Sequence, residues 1–429
     1  MIGRWHWVFS QVTKRLWFRA TLFSVLGVFT ALVAAAFKDY IPQSLSTSVG
    51  ADAVDKILGI IASSMLAVTT FSLSTMVTAY GAASSGVTPR ATTLVMEDAT
   101  TQNALATFIG SFLFSLVGIV ALSTGVYGSQ GRVLLFAVTI AVIVVIVYTL
   151  LRWIDHLSRL GRVSETIDRV ESATITALKA RIEWPCLGAL PFPATVPNGM
   201  SALVAKEVGY VQHIDIMSLQ KMAEEFDIGL YIEVVPGSFV SLKEPVVWID
   251  SRAGRALDDD CASSILSAFT MGVRRTFEHD PRFGLSVLSE IASRALSPAV
   301  NDPGTAIDVI GRGVRAFSYL GNVEPKQSGS VGKCERVFMP TLDLEDMFAD
   351  FFTPIARDGA ALVEVEIRLL KALASLKRLN ADYFSVVVAE HAQLIIQRAQ
   401  HAKILDCDLT RLQALALASG LYPQNQGEV

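Results

Sequence analysis

VLLFAVTIAVIVVIVYTLLRW, residues 133–153, is the stretch that decides the fold. It carries no charged side chain before Arg152. About 20 mostly apolar residues are what a helix needs to cross the hydrocarbon core of a bilayer. Lipid offers no water to satisfy open backbone amides and carbonyls, so such a segment is read as a helix. Three stretches upstream meet the same test, at 16–37, 57–80 and 104–126, and none holds Asp, Glu or Lys in its middle. Four transmembrane helices are therefore expected. Only 18% of the 429 residues are charged, against about 25% in an ordinary soluble chain. The deficit lies almost wholly in the first 153 residues, and the remainder reads as a soluble protein.

The run that ends in Ala34-Ala35-Ala36, behind Arg4, Lys14 and Arg15, has some features of a secretory leader. It is read as a span, because it is longer than a leader's apolar core of about 7–15 residues and three more spans follow. Arg4, Lys14, Arg15 and Arg19 precede the first span, and Arg152, Arg159, Arg162 and Arg169 flank the end of the fourth. By the positive-inside rule both termini belong in the cytoplasm of a bacterial inner membrane. Trp5, Trp7, Trp17 and Trp153 suit interfacial anchors on that face.

The net charge of −4 gives no basic footprint for nucleic acid. Cys186, Cys261, Cys334 and Cys407 are scattered, so neither a metal site nor a disulfide framework is expected. No cofactor motif is present: Gly311-Arg312-Gly313 lacks the strand and the third glycine of a dinucleotide site and reads as close packing. His391 and His401 are ten residues apart, which is no helical metal pair. The signatures of the common hydrolases and phosphate-binding loops are missing, so no enzymatic activity is expected.

The second span is rich in hydroxyls, with Ser63, Ser64, Thr69, Thr70, Ser72, Ser74, Thr75 and Thr78. Small hydroxyl residues let helices pack closely, and they also line wet paths. Both readings stand, with Ser63, Thr70, Ser74 and Thr78 as pore-lining candidates. In the third span Gly110, Ser111, Ser115 and Gly118 read as a packing surface. No ionisable group sits at mid-depth in any span, which disfavours a proton-driven carrier. The loop between the second and third spans is broken by Gly86 and Pro89. It places Arg90, Asp98 and Gln102 at the inner membrane surface, either as a polar turn or as a charged vestibule.

The soluble half is expected to be α+β. A helical connector and a Pro-rich linker occupy 159–200, and the connector is read as continuing the fourth span. A small β-rich module occupies 201–255, and a helical part follows over 256–429. Residues 262–276 and 281–296 are read as helices. Between the second of these and the next helix lies Arg294-Ala295-Leu296-Ser297-Pro298-Ala299-Val300-Asn301-Asp302-Pro303-Gly304-Thr305-Ala306. Asp302 suits an N-cap with Pro303 at the first helical position. Arg294, Ser297, Asn301, Asp302 and Thr305 thus form either a structural corner or an anion pocket at a helix N-terminus.

Two of these motifs carry a resemblance that extends from the first span to about residue 380. Thr88-Pro89-Arg90 followed by Asp98 and Gln102, and the 294–306 corner, resemble the bacterial predicted membrane proteins catalogued as domain of unknown function 2254. That family more often has serine where Thr88 stands and a bulky aromatic where Gly304 stands. The resemblance implies a topology and no activity. The expectation is a homo-oligomeric ion channel or channel-like protein of the inner membrane, gated by its cytoplasmic domain. End charges such as Asp39, Arg90 and Asp98 would set its selectivity. Its partners are the lipid bilayer, further copies of itself, and ions or a small anionic ligand. The alternative is a membrane-anchored sensor or scaffold that binds its ligand or partner through the cytoplasmic domain.

Overall fold

The computed structural model describes residues 13, 16–36, 51–96, 98–124, 128–159, 161–193, 199–251, 259–322 and 334–421. Asp39, Trp5, Trp7 and the 327–332 loop lie outside them. Contacts divide the chain into two units, which part between Thr166 and Ile167.

The first unit is helical: α1 (Leu16–Ala36), α2 (Ala51–Gly86), the short α3 (Thr92–Met96), α4 (Ala99–Ser123) and α5 (Gly128–Leu157). Among the described residues three helices are long and apolar enough to cross a membrane: Ala53–Ala82, Thr92–Ser123 and Gly131–Leu157. The first expected span is also a helix, α1, but its described apolar stretch, Trp17–Thr30, is shorter than the other three. Helix α4 is the hub, packing on α1, α2 and α5. On α2, Val54, Leu58, Ile61 and Met65 recur at helical spacing and are buried, the period of one helix face. The opposite faces of α2 and α5 expose Ile60, Phe71, Val77, Val144 and Tyr148. In water such a surface would drive association.

Gly110, Ser111, Ser115 and Gly118 are all buried on α4. A Cβ at Gly110 would stand 2.9 Å from the Phe23 carbonyl oxygen, and one at Gly27 would stand 2.7 Å from the Gly110 carbonyl oxygen. The backbones of α1 and α4 therefore touch, which only glycine allows. Gly110→Leu is expected to separate these helices and to lower the stability of the detergent-solubilised protein by about 1–3 kcal/mol or more. Thermal unfolding followed by circular dichroism measures the loss, and an unchanged melting temperature would mean that α1 does not need this crossing.

Helix α5 does not run on into the connector. It ends at Leu157, residues 158, 159 and 161 are turn residues, and α6 (Val163–Glu183) starts afresh. Gly161 sits in the turn at φ +84°, a left-handed conformation that disfavours any residue with a Cβ.

The second unit is α+β. Its strands are β1 (Ala189–Pro191), β2 (Ser201–Val204), β3 (Gly209–Ile214), β4 (Ile228–Ile232), β5 (Phe239–Val240), β6 (Pro245–Ser251), β7 (Phe269–Gly272) and β8 (Cys334–Met339). Five form one mixed sheet in the order β1-β8-β4-β6-β2, and three form a second, β5-β3-β7. Every residue of β4 is buried, as befits a strand in the middle of a covered sheet. Helix α7 (Ile216–Glu225) packs on β8 and β4. Its N-cap is Asp215, whose carboxylate accepts the Ser218 amide.

Two expectations are corrected here. The β-structure is not confined to 201–255, since β1 comes from the linker and β7 and β8 from the stretch read as helical. Residues 262–276 are not one helix: α8 (Asp259–Ser267) gives way to β7, which pairs antiparallel with β3. The β3 edge is a ready template for Phe269-Thr270-Met271, and pairing there satisfies backbone groups that a helix end would leave open.

Helices α9 (Pro281–Ala295), α10 (Pro303–Gly321), α11 (Leu344–Asp358), α12 (Val363–Leu379), α13 (Ala381–His401) and α14 (Asp406–Ala418) complete the unit. Phe317, Phe348, Phe351, Phe352 and Phe384 are fully buried and form its aromatic centre, with ring centroids 4.6–5.9 Å apart around Phe317. His391 packs into this cluster with its ring tilted at 53° to Phe348, centroids 5.6 Å apart, whereas His401 is exposed.

Candidate functional site

The α2 hydroxyls point in several directions, with Thr69 and Thr75 half-buried. Ser72 points inward and accepts a hydrogen bond from the Trp153 indole nitrogen at 2.9 Å, with both side chains buried. That is a packing role. Ser63, Thr70, Ser74 and Thr78 are all exposed on the outside of the chain's own bundle. Their spacing of i, i+7, i+11 and i+15 puts them on one face. Ser63 donates to the Gly59 carbonyl, Thr70 to Leu66 and Thr78 to Ser74, each at 3.0 Å. A hydroxyl bonded to the carbonyl one turn back is satisfied within its own helix, so it tolerates an apolar surrounding at low cost.

The turn between α2 and α4 builds a second constellation. Asp98 is the N-cap of α4, and one of its oxygens, Oδ2, accepts three donors. These are the Thr101 amide at 2.8 Å, the Thr101 hydroxyl at 2.6 Å, and Nε2 of His156 at 2.8 Å. His156 reaches it from the last turn of α5, and its ring stacks on Trp153 with centroids 5.6 Å apart. Gln102 is buried and donates to the Met96 carbonyl at 3.1 Å, which closes the turn around Asp98. Arg90 is exposed. Asp98 and Gln102 thus belong to one buried group, and Arg90 does not.

His156 is the member that the spacing argument missed. The available signal was a histidine at the C-terminal end of the fourth apolar run, beside Arg152 and Trp153. The arrangement brings a carboxylate and an imidazole together across two helices. The Thr101 hydroxyl donates to Asp98 and also lies 3.2 Å from Nε2 of the same histidine.

In the second unit, Asp302 caps α10 by accepting the Thr305 amide at 3.0 Å and the Thr305 hydroxyl at 2.6 Å. Those bonds hold its carboxyl below the usual carboxylate range. Asn301 stands at φ +50°, a conformation that asparagine tolerates better than most residues. Its amide bonds to the Ser297 carbonyl at 2.8 Å, and the Asp302 amide bonds to the Ala295 carbonyl at 2.8 Å. Ser297 donates its hydroxyl to the Arg294 carbonyl at 2.6 Å. All five residues are brought together in one corner. The positive end of α10 is filled by the chain's own carboxylate, which opposes any second anion there.

Nearby, Arg312 and Arg315 of α10 both bond to Glu171 of α6, at 2.7 Å and 2.6 Å, and Arg312 also pairs with Asp168. Burial works against the Glu171 charge, but the two guanidinium groups outweigh it and keep its carboxyl below the ordinary range. Among the described residues no group of three or more His, Cys, Asp or Glu could hold a metal ion.

Comparison with known proteins agrees with the architecture. The profile of a family described as predicted membrane protein (DUF2254) matches residues 13–375. An uncharacterized protein of Mycobacterium tuberculosis and one of Mycobacterium bovis are each 28% identical over 235 residues. Each match covers 53% of this chain and 45% of the relative, so the chain spans less than half the length of these relatives. No solved structure matches the chain.

Proposed function

This chain belongs to the DUF2254 family of predicted membrane proteins, and from that premise we propose that it is a homo-oligomeric ion channel or channel-like protein of the bacterial inner membrane. Helix α1 is its fourth span, both termini are cytoplasmic, and the α+β unit gates it. The observation that carries the proposal is the outward face of Ser63, Thr70, Ser74 and Thr78 on α2. The interior of the single bundle is closed by Phe108, Phe114 and Trp153, so a path runs between copies of the chain. On that path the four hydroxyls form a polar lining without mid-membrane charge. Within this proposal the chain performs no catalysis, and Asp98 with His156 braces the inner mouth.

Conductance of the purified protein in a planar bilayer is the test. Discrete, concentration-dependent openings are expected. Thr70→Leu or Ser74→Leu should cut the flux about tenfold, equivalent to about 1.4 kcal/mol of added barrier. Unchanged flux through both variants would remove α2 from the path, and a monomer in detergent would remove the path itself.

The second reading is a membrane-anchored sensor or scaffold that binds through its cytoplasmic unit. A large cleft in that unit, lined by Arg181 and several apolar side chains, favours it.

A further inference from the structure

Three loops of the second unit end side by side. Strand β3 lies between β5 and β7 and runs antiparallel to both, with Gly209 opposite Val240 and Tyr210 opposite Phe239 and Gly272. The bend at 206–207 before β3, the turn at 242–243 after β5 and the bend at 273–274 after β7 therefore share one end of this small sheet. Backbone bonds tie the first two together. The Lys243 amide donates to the Ala205 carbonyl at 3.3 Å, and the Ala205 amide donates to the Glu244 carbonyl at 2.9 Å. A Cβ at Gly209 would stand 2.8 Å from the Gly272 carbonyl oxygen, so β7 approaches too closely to leave room for a side chain there.

Each loop presents the same two residue types. Val208, Leu242 and Val273 are 55%, 59% and 86% exposed. Phe239 is exposed as well and rests on Tyr210, with ring centroids 5.1 Å apart, which widens the apolar surface. A single exposed aliphatic residue is ordinary, but a group of neighbours marks an interaction surface. Beside each aliphatic stands an exposed cation: Lys206 two residues before Val208, Lys243 after Leu242 and Arg274 after Val273. Lys206 donates to the Ser263 hydroxyl at 3.1 Å, a neutral partner. Two carboxylates share these loops. Glu244 is turned back onto the Ser241 amide at 2.6 Å, and Glu207 is exposed.

We propose that this three-loop tip docks on a lipid bilayer that carries anionic headgroups. The aliphatic side chains enter the boundary between headgroups and acyl chains, and the three cations meet lipid phosphates. Loop backbone tolerates that depth because the headgroup layer is wet, unlike the hydrocarbon core. A protein partner fits less well, since lysine is depleted from protein interfaces. Because the same chain spans a bilayer, docking is intramolecular and proceeds at high effective concentration. The proposal does not rest on the channel reading, since docking is read without conductance.

The test uses the full chain in lipid nanodiscs. Cys407, which is exposed, is replaced by serine, and a bimane fluorophore is attached at Ser241→Cys, an exposed position beside Leu242. Quenching by a nitroxide carried on the lipid tails is expected in nanodiscs with anionic lipid. It should weaken in zwitterionic lipid and in high salt. The same label at Gln413→Cys, exposed on α14, should escape quenching. Lys206→Gln, Lys243→Gln and Arg274→Gln together should lower the docked-to-free ratio by about fivefold for each charge removed. Val208→Gln with Leu242→Gln should lower it too. Both sets should keep the melting temperature, because the replaced side chains are exposed. The proposal is overturned by an unquenched label at Ser241→Cys, by equal quenching at Gln413→Cys, by equal quenching in zwitterionic lipid, or by full quenching in both sets of variants. A label that is shielded from water as protein concentration rises, yet untouched by the nitroxide, would also overturn it and would place a second copy on the tip.

Discussion

Asp98→Ala is expected to lower the stability of the helical unit by about 2–4 kcal/mol, an N-cap of about 0.5–2 kcal/mol together with a hydrogen bond to a carboxylate of about 1.5–3 kcal/mol. A single oxygen of Asp98 takes three donors, two from Thr101 and one from His156. Removing it uncaps α4 and strands the imidazole beside Trp153, where Asp98 and His156 are only 9% and 13% exposed. The cap alone is worth about 0.5–2 kcal/mol, so the larger part of the loss belongs to the pair. Asp98→Asn separates the two contributions, because an amide oxygen still accepts the Thr101 donors but removes the charge that His156 faces. The expected order of melting temperature is wild type, then Asp98→Asn, then Asp98→Ala. His156→Phe should fall near Asp98→Asn. If Asp98→Ala melted like the wild type, the pair would not be bracing the ends of α4 and α5.

The second large effect lies in the helical part of the other unit and depends on pH. Glu366 on α12 is fully buried, and among the described residues neither of its carboxylate oxygens has a hydrogen-bond partner. Burial drives its carboxyl up to about 8, and Arg398 only partly offsets this. The folded state therefore holds a proton that the unfolded chain releases near its ordinary value of 4.5. Stability from this group is complete below about 4.5 and is lost progressively as pH rises towards 8. At about 1.4 kcal/mol per pH unit, the loss by pH 8 is at most about 5 kcal/mol. Glu366→Leu should abolish that slope and stabilise the protein most at alkaline pH. Denaturation at a series of pH values between 5 and 9 measures it, and parallel curves for wild type and variant would show that Glu366 is ionised and paired in the fold. His391 acts in the opposite sense. Burial, with Arg398 adding to it, pulls its imidazole down to about 4, so its stabilising share is present above about 6.5 and is lost as pH falls through 4. Together the two groups place the stability maximum of this unit in mildly acidic solution.

Much of this architecture is written in local pattern. The spans at 57–80, 104–126 and 133–153 follow from uninterrupted apolar length, and each is a helix in the structure. The caps by Asp302 and Asp343 follow from an acidic residue set just before a helix. The strands at Gly209–Ile214, Ile228–Ile232 and Pro245–Ser251 follow from their β-branched and aromatic content. These are properties of a few consecutive residues and need no knowledge of what packs against them.

Where reading failed, the deciding partner was distant in the chain. Residues 269–272 join a strand because β3 offers an edge, more than fifty residues upstream. Strand β8 is parallel to both β1 and β4 and lies between them, a pairing that no short window contains. The orientation of the α2 hydroxyls was ambiguous until α4 claimed one face of the helix and left Ser63, Thr70, Ser74 and Thr78 on the other. His156 meets Asp98 only because two spans end side by side. Arg181 stands in a stretch that reads as an ordinary solvated helix end, Lys179-Ala180-Arg181-Ile182-Glu183, yet it is buried beside a cleft. That this is a membrane protein with a mixed α and β second unit follows from hydropathy and capping, which act over one or two turns. Which polar groups are buried, paired or left without a partner was decided by tertiary structure alone, because burial and pairing depend on what the rest of the chain brings alongside.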